Sequence, residues 1–349
     1  MPFRKALFAL TLAGSLLRAG YADRPQARAF IQTMVERHHF DADTLKHLLD
    51  QVRPQEEAIR WIKPPAAPVR KNWRLYRSRF IEPTRIKAGL AFWREHRAAL
   101  ERARRDYGVP EEIIVGIIGV ETIYGRRTGD FPVLDTLATL AFDYPEAPNR
   151  PTRSALFLQE LEAYLVWCRD TRQDPHYWHG SYAGAMGLPQ FLPSSILKWA
   201  VDFDRDGRID LKESPEDAIG SVARYLKDHG WEAGQPVQFP VGRSAASRKA
   251  AAERADGTPE PKWSLGALRR AGLRLPKHLG DPGSQALIVD LPTPGRATEY
   301  RVGFRNFYVL TRYNKSFFYA ASVADLGHAV KIRMNPSGQG KMKHRQGRP

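Results

Sequence analysis

The sequence predicts an α+β fold that is mainly α, and three observations carry that expectation. Apolar residues recur at threes and fours through several long stretches before Trp231, which is helical spacing. After Trp231 come short apolar runs at Pro236–Val241 and Ala286–Leu291, bounded by turn formers as strands are. A chain of 349 residues that is 42% hydrophobic and 11% aromatic can fill a sizeable core, which excludes wholesale disorder. That length suits about two domains, or one with an insertion.

The elements follow in order. Arg4 and Lys5 precede an apolar run from Ala6 to Leu17, and Gly20-Tyr21-Ala22 places small residues for a cut after Ala22. Residues 1–22 therefore read as an export signal. The run is too short for a stable membrane anchor. No cysteine follows it, which excludes a lipid-modified start; Cys168 is the single cysteine and also excludes an internal disulfide. A helical region spans 23–75, with Phe30, Met34, Leu45, Leu49 and Ile59 in phase, and Pro64-Pro65-Ala66-Ala67-Pro68 interrupts it as a stiff connector. A core spans 76–231, with helices expected over Pro83–Tyr107, Ser154–Arg169 and Ala218–His229. A small β-containing unit spans 232–303, in which Gly242–Pro261 reads as a surface insertion and Trp263–Leu273 as a short helix. Residues 304–334 return to the core, and 335–349 read as a basic disordered tail.

Charge narrows the partners. Lys and Arg number 54 against 38 Asp and Glu, a formal net charge of +16. Such an excess suits an anionic polymer or surface. No recognition-helix or RNA-binding pattern accompanies it, so nucleic acid is set aside.

The most informative segment runs from Val109 to Gly125. Pro110, Glu111 and Glu112 suit a helix start, and Gly125 suits the exit. Ile114, Ile117 and Ile118 stand seven, four and three residues before Glu121, so they share its face. A carboxyl in that setting loses hydration, which raises its pKa and lets it donate a proton near neutrality. The alternative is an ion pair with Arg126 or Arg127.

Asp202-Phe203-Asp204-Arg205-Asp206-Gly207-Arg208-Ile209-Asp210-Leu211-Lys212-Glu213 matches the twelve-residue, EF-hand-like calcium loop. Asp202, Asp204 and Asp206 supply oxygens, Gly207 the turn, Arg208 a carbonyl and Glu213 the closing acid, with Asp217 as its rival. One Ca2+ in a structural role is expected, and no organic cofactor. Two further stretches offer polar groups among glycines and aromatics. Gly180–Ser195 carries Ser181 and Gln190 in a loop before a helix start. Asn306–Ser316 packs Tyr, Asn and Arg densely enough to hold a sugar ring, or to build a core strand.

Taken together, these stretches resemble one family, the B-type lytic murein transglycosylases, from about Asn72 to Leu326. The residues that carry the resemblance include Gly119-Val120-Glu121-Thr122 with Tyr124-Gly125, Leu134–Leu140, Gly180–Gly187, Gln190-Phe191 and Pro193-Ser194-Ser195. The acidic loop, Asp217–Ala223 and Thr311-Arg312-Tyr313-Asn314 complete it. The resemblance implies a lysozyme-like helical core acting on peptidoglycan in the periplasm, as a monomer, with cell-wall synthesis proteins as further partners. It implies that Glu121 is the lone acid/base, and that Tyr76, Ser181, Gln190, Tyr225, Tyr313, Asn314 and Tyr319 line the cleft or position Glu121. It favours Asp217 as the closing metal ligand. Leu188-Pro189 before Gln190 departs from the family pattern. Ordinary glycosidases use two carboxylates; here one would protonate the bond between N-acetylmuramic acid and N-acetylglucosamine, and the sugar's own 6-hydroxyl would close a 1,6-anhydro ring. A lysozyme-type hydrolase and a non-catalytic wall-binding protein are the alternatives.

Overall fold

The computed structural model describes residues 20–65 and 70–334. Most of the export signal, the middle of the proline connector and the basic tail lie outside them.

The first helices are α1 (Pro25–His38), α2 (Ala42–Asp50) and α3 (Glu56–Ile62), followed by α4 (Trp73–Ser78), α5 (Pro83–Glu95), α6 (Arg97–Tyr107) and α7 (Glu111–Thr122). The single helix expected over Pro83–Tyr107 is thus broken at His96, whose N–H closes α5 on Phe92 while its backbone turns out of helical geometry. The two-residue strand β1 (Phe131–Pro132) leads into α8 (Val133–Phe142) and α9 (Arg150–Thr171), and β2 (His179–Gly180) returns to pair antiparallel with β1. The short α10 (Pro193–Trp199) and α11 (Pro215–Asp228) flank the acidic loop.

The small unit holds β3 (Gln238–Pro240), α12 (Ala245–Ala252), β4 (Trp263–Ser264), α13 (Leu265–Arg270), β5 (Gln285–Leu291) and β6 (Glu299–Gly303). Its antiparallel sheet has the order β3-β6-β5-β4. Side chains alternate across a strand, and β5 uses both faces. Leu287, Val289 and Leu291 enter the main core, whereas Ala286 and Ile288 enter a second cluster with Leu265 and Leu268. Burial on both faces explains why β5 reads as a continuous apolar run. The Gly242–Pro261 stretch is not a mere surface insertion: α12 lies inside it and buries Ala250 and Ala251 in that second cluster.

The chain returns through α14 (Arg305–Tyr313) and α15 (Phe317–Met334). Buried Arg301 of β6 grips Asp325 of α15 through two bonds, at 2.6 and 3.0 Å, and Arg77 of α4 adds a third at 2.7 Å. The sheet, α4 and α15 are thereby tied together.

At the start, Tyr21 and Ala22 are buried, and the Tyr21 hydroxyl donates to Asp143 at 2.6 Å. A cut after Ala22 would remove that packing. No helix among the described residues is long and apolar enough to cross a membrane.

Candidate active site

α7 is buried on every side from Ile113 to Val120. The aliphatic stripe expected on the Glu121 face is thus part of a helix buried all round up to Val120. α15 crosses α7 closely because glycine thins the contact. A β-carbon on Gly116 would overlap the Val323 carbonyl oxygen, and one on Gly327 would overlap that of Glu112. These pairs lie four residues apart on each helix and run in opposite directions. One further turn in that register sets the end of α7 opposite the first turn of α15. There the Tyr319 hydroxyl donates to Oε1 of Glu121 at 2.6 Å.

Just past Glu121 the backbone leaves the helix through three consecutive left-handed residues: Ile123 (φ 53°), Tyr124 (φ 58°) and Gly125 (φ 84°). Only the last is a residue that adopts this conformation freely. Thr122 holds the corner. Its hydroxyl accepts the Gly125 N–H at 3.0 Å and donates to the Leu188 carbonyl at 3.0 Å. Tyr124 folds back over α7, where Gly89 and Gly119 leave room for its ring. The Gly119–Gly125 motif thus builds a strained corner that aims one carboxyl.

Burial raises the Glu121 carboxyl from 4.5 to about 7, and the Tyr319 hydrogen bond opposes that rise. Arg126 and Arg127 are exposed and form no ion pair with it among the described residues. Glu160, which is more deeply buried than the half-buried Glu121, is spent elsewhere: it accepts the Ser194 N–H at 2.9 Å and hydroxyl at 2.7 Å, capping α10. Glu121 is left with the Tyr319 hydroxyl as its side-chain partner.

Aromatic rings surround it. Tyr313 stacks on Tyr319 with centroids 6.2 Å apart and donates to the Pro189 carbonyl. Burial, then the Glu121 charge, holds the Tyr313 and Tyr319 phenols well above their ordinary range. The same two causes raise Tyr76, whose ring packs on Phe318 and Phe80. Tyr225 stands one step back. Its hydroxyl donates to the Arg312 carbonyl at 2.7 Å and its ring meets Tyr313 edge-on at 4.9 Å. Asn314 is exposed at the end of α14, beside Tyr313. The Asn306–Ser316 block is mostly this helix, not a strand.

Ser181 and Gln190 shape loops. The Ser181 hydroxyl accepts the Ala185 N–H at 3.1 Å. Gln190, in left-handed geometry (φ 53°), donates its side-chain amide to the Thr128 and Gly187 carbonyls at 2.9 and 3.1 Å. The Leu188-Pro189 departure is accommodated: Leu188 packs on Gly125, and Pro189 supplies the acceptor for Tyr313. Sequence reasoning missed His229 and Trp199, which pack on Tyr225 at 4.0 and 4.8 Å. The one available signal was the helical spacing of Tyr225 and His229.

In the acidic loop, Asp202, Asp204 and Asp217 bring carboxylate oxygens within 4.8 Å of one another. Gly207 makes the expected left-handed turn (φ 91°), and Asp202 accepts its N–H at 3.0 Å. Buried Asp217 accepts the N–H groups of Phe203 at 2.6 Å and Asp210 at 2.8 Å. Two expected ligands stand apart. Asp206 turns to the Arg208 N–H at 2.8 Å, and exposed Glu213 pairs with Lys212 at 3.1 Å. Asp217, in the first turn of α11, lies with Asp202 and Asp204, and Glu213 does not. Three converging carboxylates with no cationic side chain among them fit a hard divalent ion.

Comparison with known proteins agrees with this architecture. The family model described as Transglycosylase SLT domain matches residues 22–328. The membrane-bound lytic murein transglycosylase B of Escherichia coli (strain K12) is 42% identical over 324 residues, covering 89% of this chain and 84% of that protein. The E. coli lytic transglycosylase Slt35, solved in complex with calcium, superposes with a TM-score of 0.78 at 41% identity, covering 90% of this chain and 95% of that one. SltB3 from Pseudomonas aeruginosa, solved in complex with NAG-anhNAM-pentapeptide, gives a TM-score of 0.75 at 30% identity, covering 87% and 78%. The chain belongs to this family of lytic murein transglycosylases.

Proposed function

We propose that Glu121 is the single acid/base of a lytic cleavage between N-acetylmuramic acid and N-acetylglucosamine in peptidoglycan. A carboxyl whose pKa is raised to about 7 is largely protonated in mildly acidic surroundings and can protonate the departing glycosidic oxygen. The carboxylate left behind takes the proton of the muramyl 6-hydroxyl as that oxygen bonds to C1. The product is a 1,6-anhydro end, and Glu121 is protonated again. No water is consumed, and no second carboxylate is needed. The observation that carries this reading is the isolation of Glu121: Tyr319 is its side-chain hydrogen-bond partner, and the buried Glu160 caps a helix.

Tyr319 orients the carboxyl, Tyr313 backs Tyr319, and Tyr76 and Asn314 border the space that sugar would occupy. Calcium at Asp202, Asp204 and Asp217 would pin the loop between α10 and α11; its part is structural. The leader-like start supports export to the periplasm. Mass spectrometry of fragments released from purified sacculi tests the reaction. Anhydro ends support it, and reducing ends would assign a hydrolase instead.

A further inference from the structure

Trp61 of α3 is 53% exposed, an unusual state for the largest apolar side chain. It is not isolated. Its ring meets Phe131 of β1 edge-on at 5.4 Å and Tyr182 of the glycine loop edge-on at 5.7 Å, and Tyr182 is itself 36% exposed. Three elements far apart in sequence therefore present one open aromatic surface. Contiguous exposed apolar surface of this kind marks a binding site more often than chance packing.

A relay of contacts links this surface to the residues around Glu121. From Glu121 the contacts pass to Tyr319 and Tyr313, then to the Pro189 carbonyl. The next residue, Gln190, donates to the Thr128 carbonyl. Thr128 lies three residues before Phe131, a reach of at most about 11 Å. On the other side, β1 pairs Phe131 with Gly180, two residues before Tyr182. Lys63, two residues after Trp61, is exposed and adds positive charge at the rim.

From this open aromatic cluster and its link to Glu121 we infer that Trp61, Phe131 and Tyr182 form a distal saccharide platform, which binds further sugars of the same glycan strand that is cut at Glu121. Apolar faces of pyranose rings lie against exposed aromatic rings, and carboxylates of the wall polymer suit Lys63. The assignment rests on the proposed reaction only in naming the ligand. It makes the enzyme's grip depend on strand length.

The test uses the full chain carrying Glu121→Gln, so that strands stay intact, and measures its cosedimentation with purified sacculi at fixed salt. Adding Trp61→Ala should weaken binding about tenfold, and Trp61→Phe much less. In the active enzyme, Trp61→Ala should raise KM on long glycan strands while the ratio of long-strand to tetrasaccharide kcat/KM falls by a similar factor. Should Trp61→Ala lower the melting temperature, Tyr182→Ala, on a different element, carries the same expectation. Binding within twofold of the parent for both variants, or equal loss on short and long substrates, overturns the platform. These outcomes are separable from failure of the proposed reaction, in which the wild-type enzyme would release no anhydro ends at all.

Discussion

The Tyr319 hydroxyl and the Glu121 carboxyl meet at 2.6 Å because α15 and α7 cross at glycines that let their backbones touch. A donor on a carboxylate favours the charged form, so Tyr319 restrains the rise that burial imposes on Glu121.

Tyr319→Phe removes that restraint. The Glu121 pKa should rise above about 7, and the alkaline limb of the pH–rate profile should move upward with it. Loss of orientation should lower kcat by about tenfold or more. A pH profile of sacculus solubilisation reads both effects; an unmoved limb would remove Tyr319 from the account.

Burial of Glu121 also has a stability signature. Its folded-state pKa is raised above the ordinary 4.5, so between pH 4.5 and about 7 the folded state binds more protons than the unfolded one. Stability must then fall as pH rises through that window, by about 3 kcal/mol for a shift of this size. Glu121→Gln removes the effect. The variant should melt higher than wild type at pH 8 and close to it at pH 4.5, as read by calorimetry.

The crossing itself is testable. A β-carbon at Gly327 would overlap the Glu112 carbonyl, and one at Gly116 would overlap that of Val323. Backbone cannot swing aside as a side chain can. Either alanine substitution should cost about 1–3 kcal/mol of stability, and should lower kcat by pushing Tyr319 away from Glu121. Denaturant melts and initial rates check both parts.

For the acidic loop, a chelator should lower the melting temperature of the wild-type chain and leave Asp217→Asn unmoved. Glu213→Gln should respond as wild type does, since Glu213 pairs with Lys212 outside the converging carboxylates.

Tyr21 bears on where the mature chain starts. A chain beginning at Gly20 should melt higher than one beginning at Asp23, because only the first keeps the buried ring and its bond to Asp143. Equal melting temperatures would show that the Tyr21 packing adds nothing to stability.

Much of the site was legible in the sequence because its parts are local. Glu121 announced itself as an acid at the end of an aliphatic helix, and Gly207 as the turn of an oxygen-rich loop. What stayed hidden depends on contacts between distant segments. Nothing within the acidic loop distinguishes Glu213 from Asp217; the choice is made by α11 packing beneath it and burying Asp217. Ser181 and Gln190 read as polar groups for a ligand; that they also hold their own loops through backbone hydrogen bonds is visible only in the folded chain. The aromatic block Asn306–Ser316 fits a strand or a helix on composition alone, and packing of Phe307, Val309 and Leu310 selects the helix. The α12 segment is polar enough to pass for surface, yet Ala250, Ala251 and Ser247, the last bonded to the Gly272 carbonyl, bury one face of it.

The central claim is that one carboxyl, poised near neutrality, performs both proton transfers. It is tested most directly by mass spectrometry of purified sacculi digested by wild type and by Glu121→Gln. The account predicts 1,6-anhydro ends from the wild type and almost no fragments from the variant, with wall binding retained. Comparable release by Glu121→Gln, or reducing ends from the wild type, would contradict it.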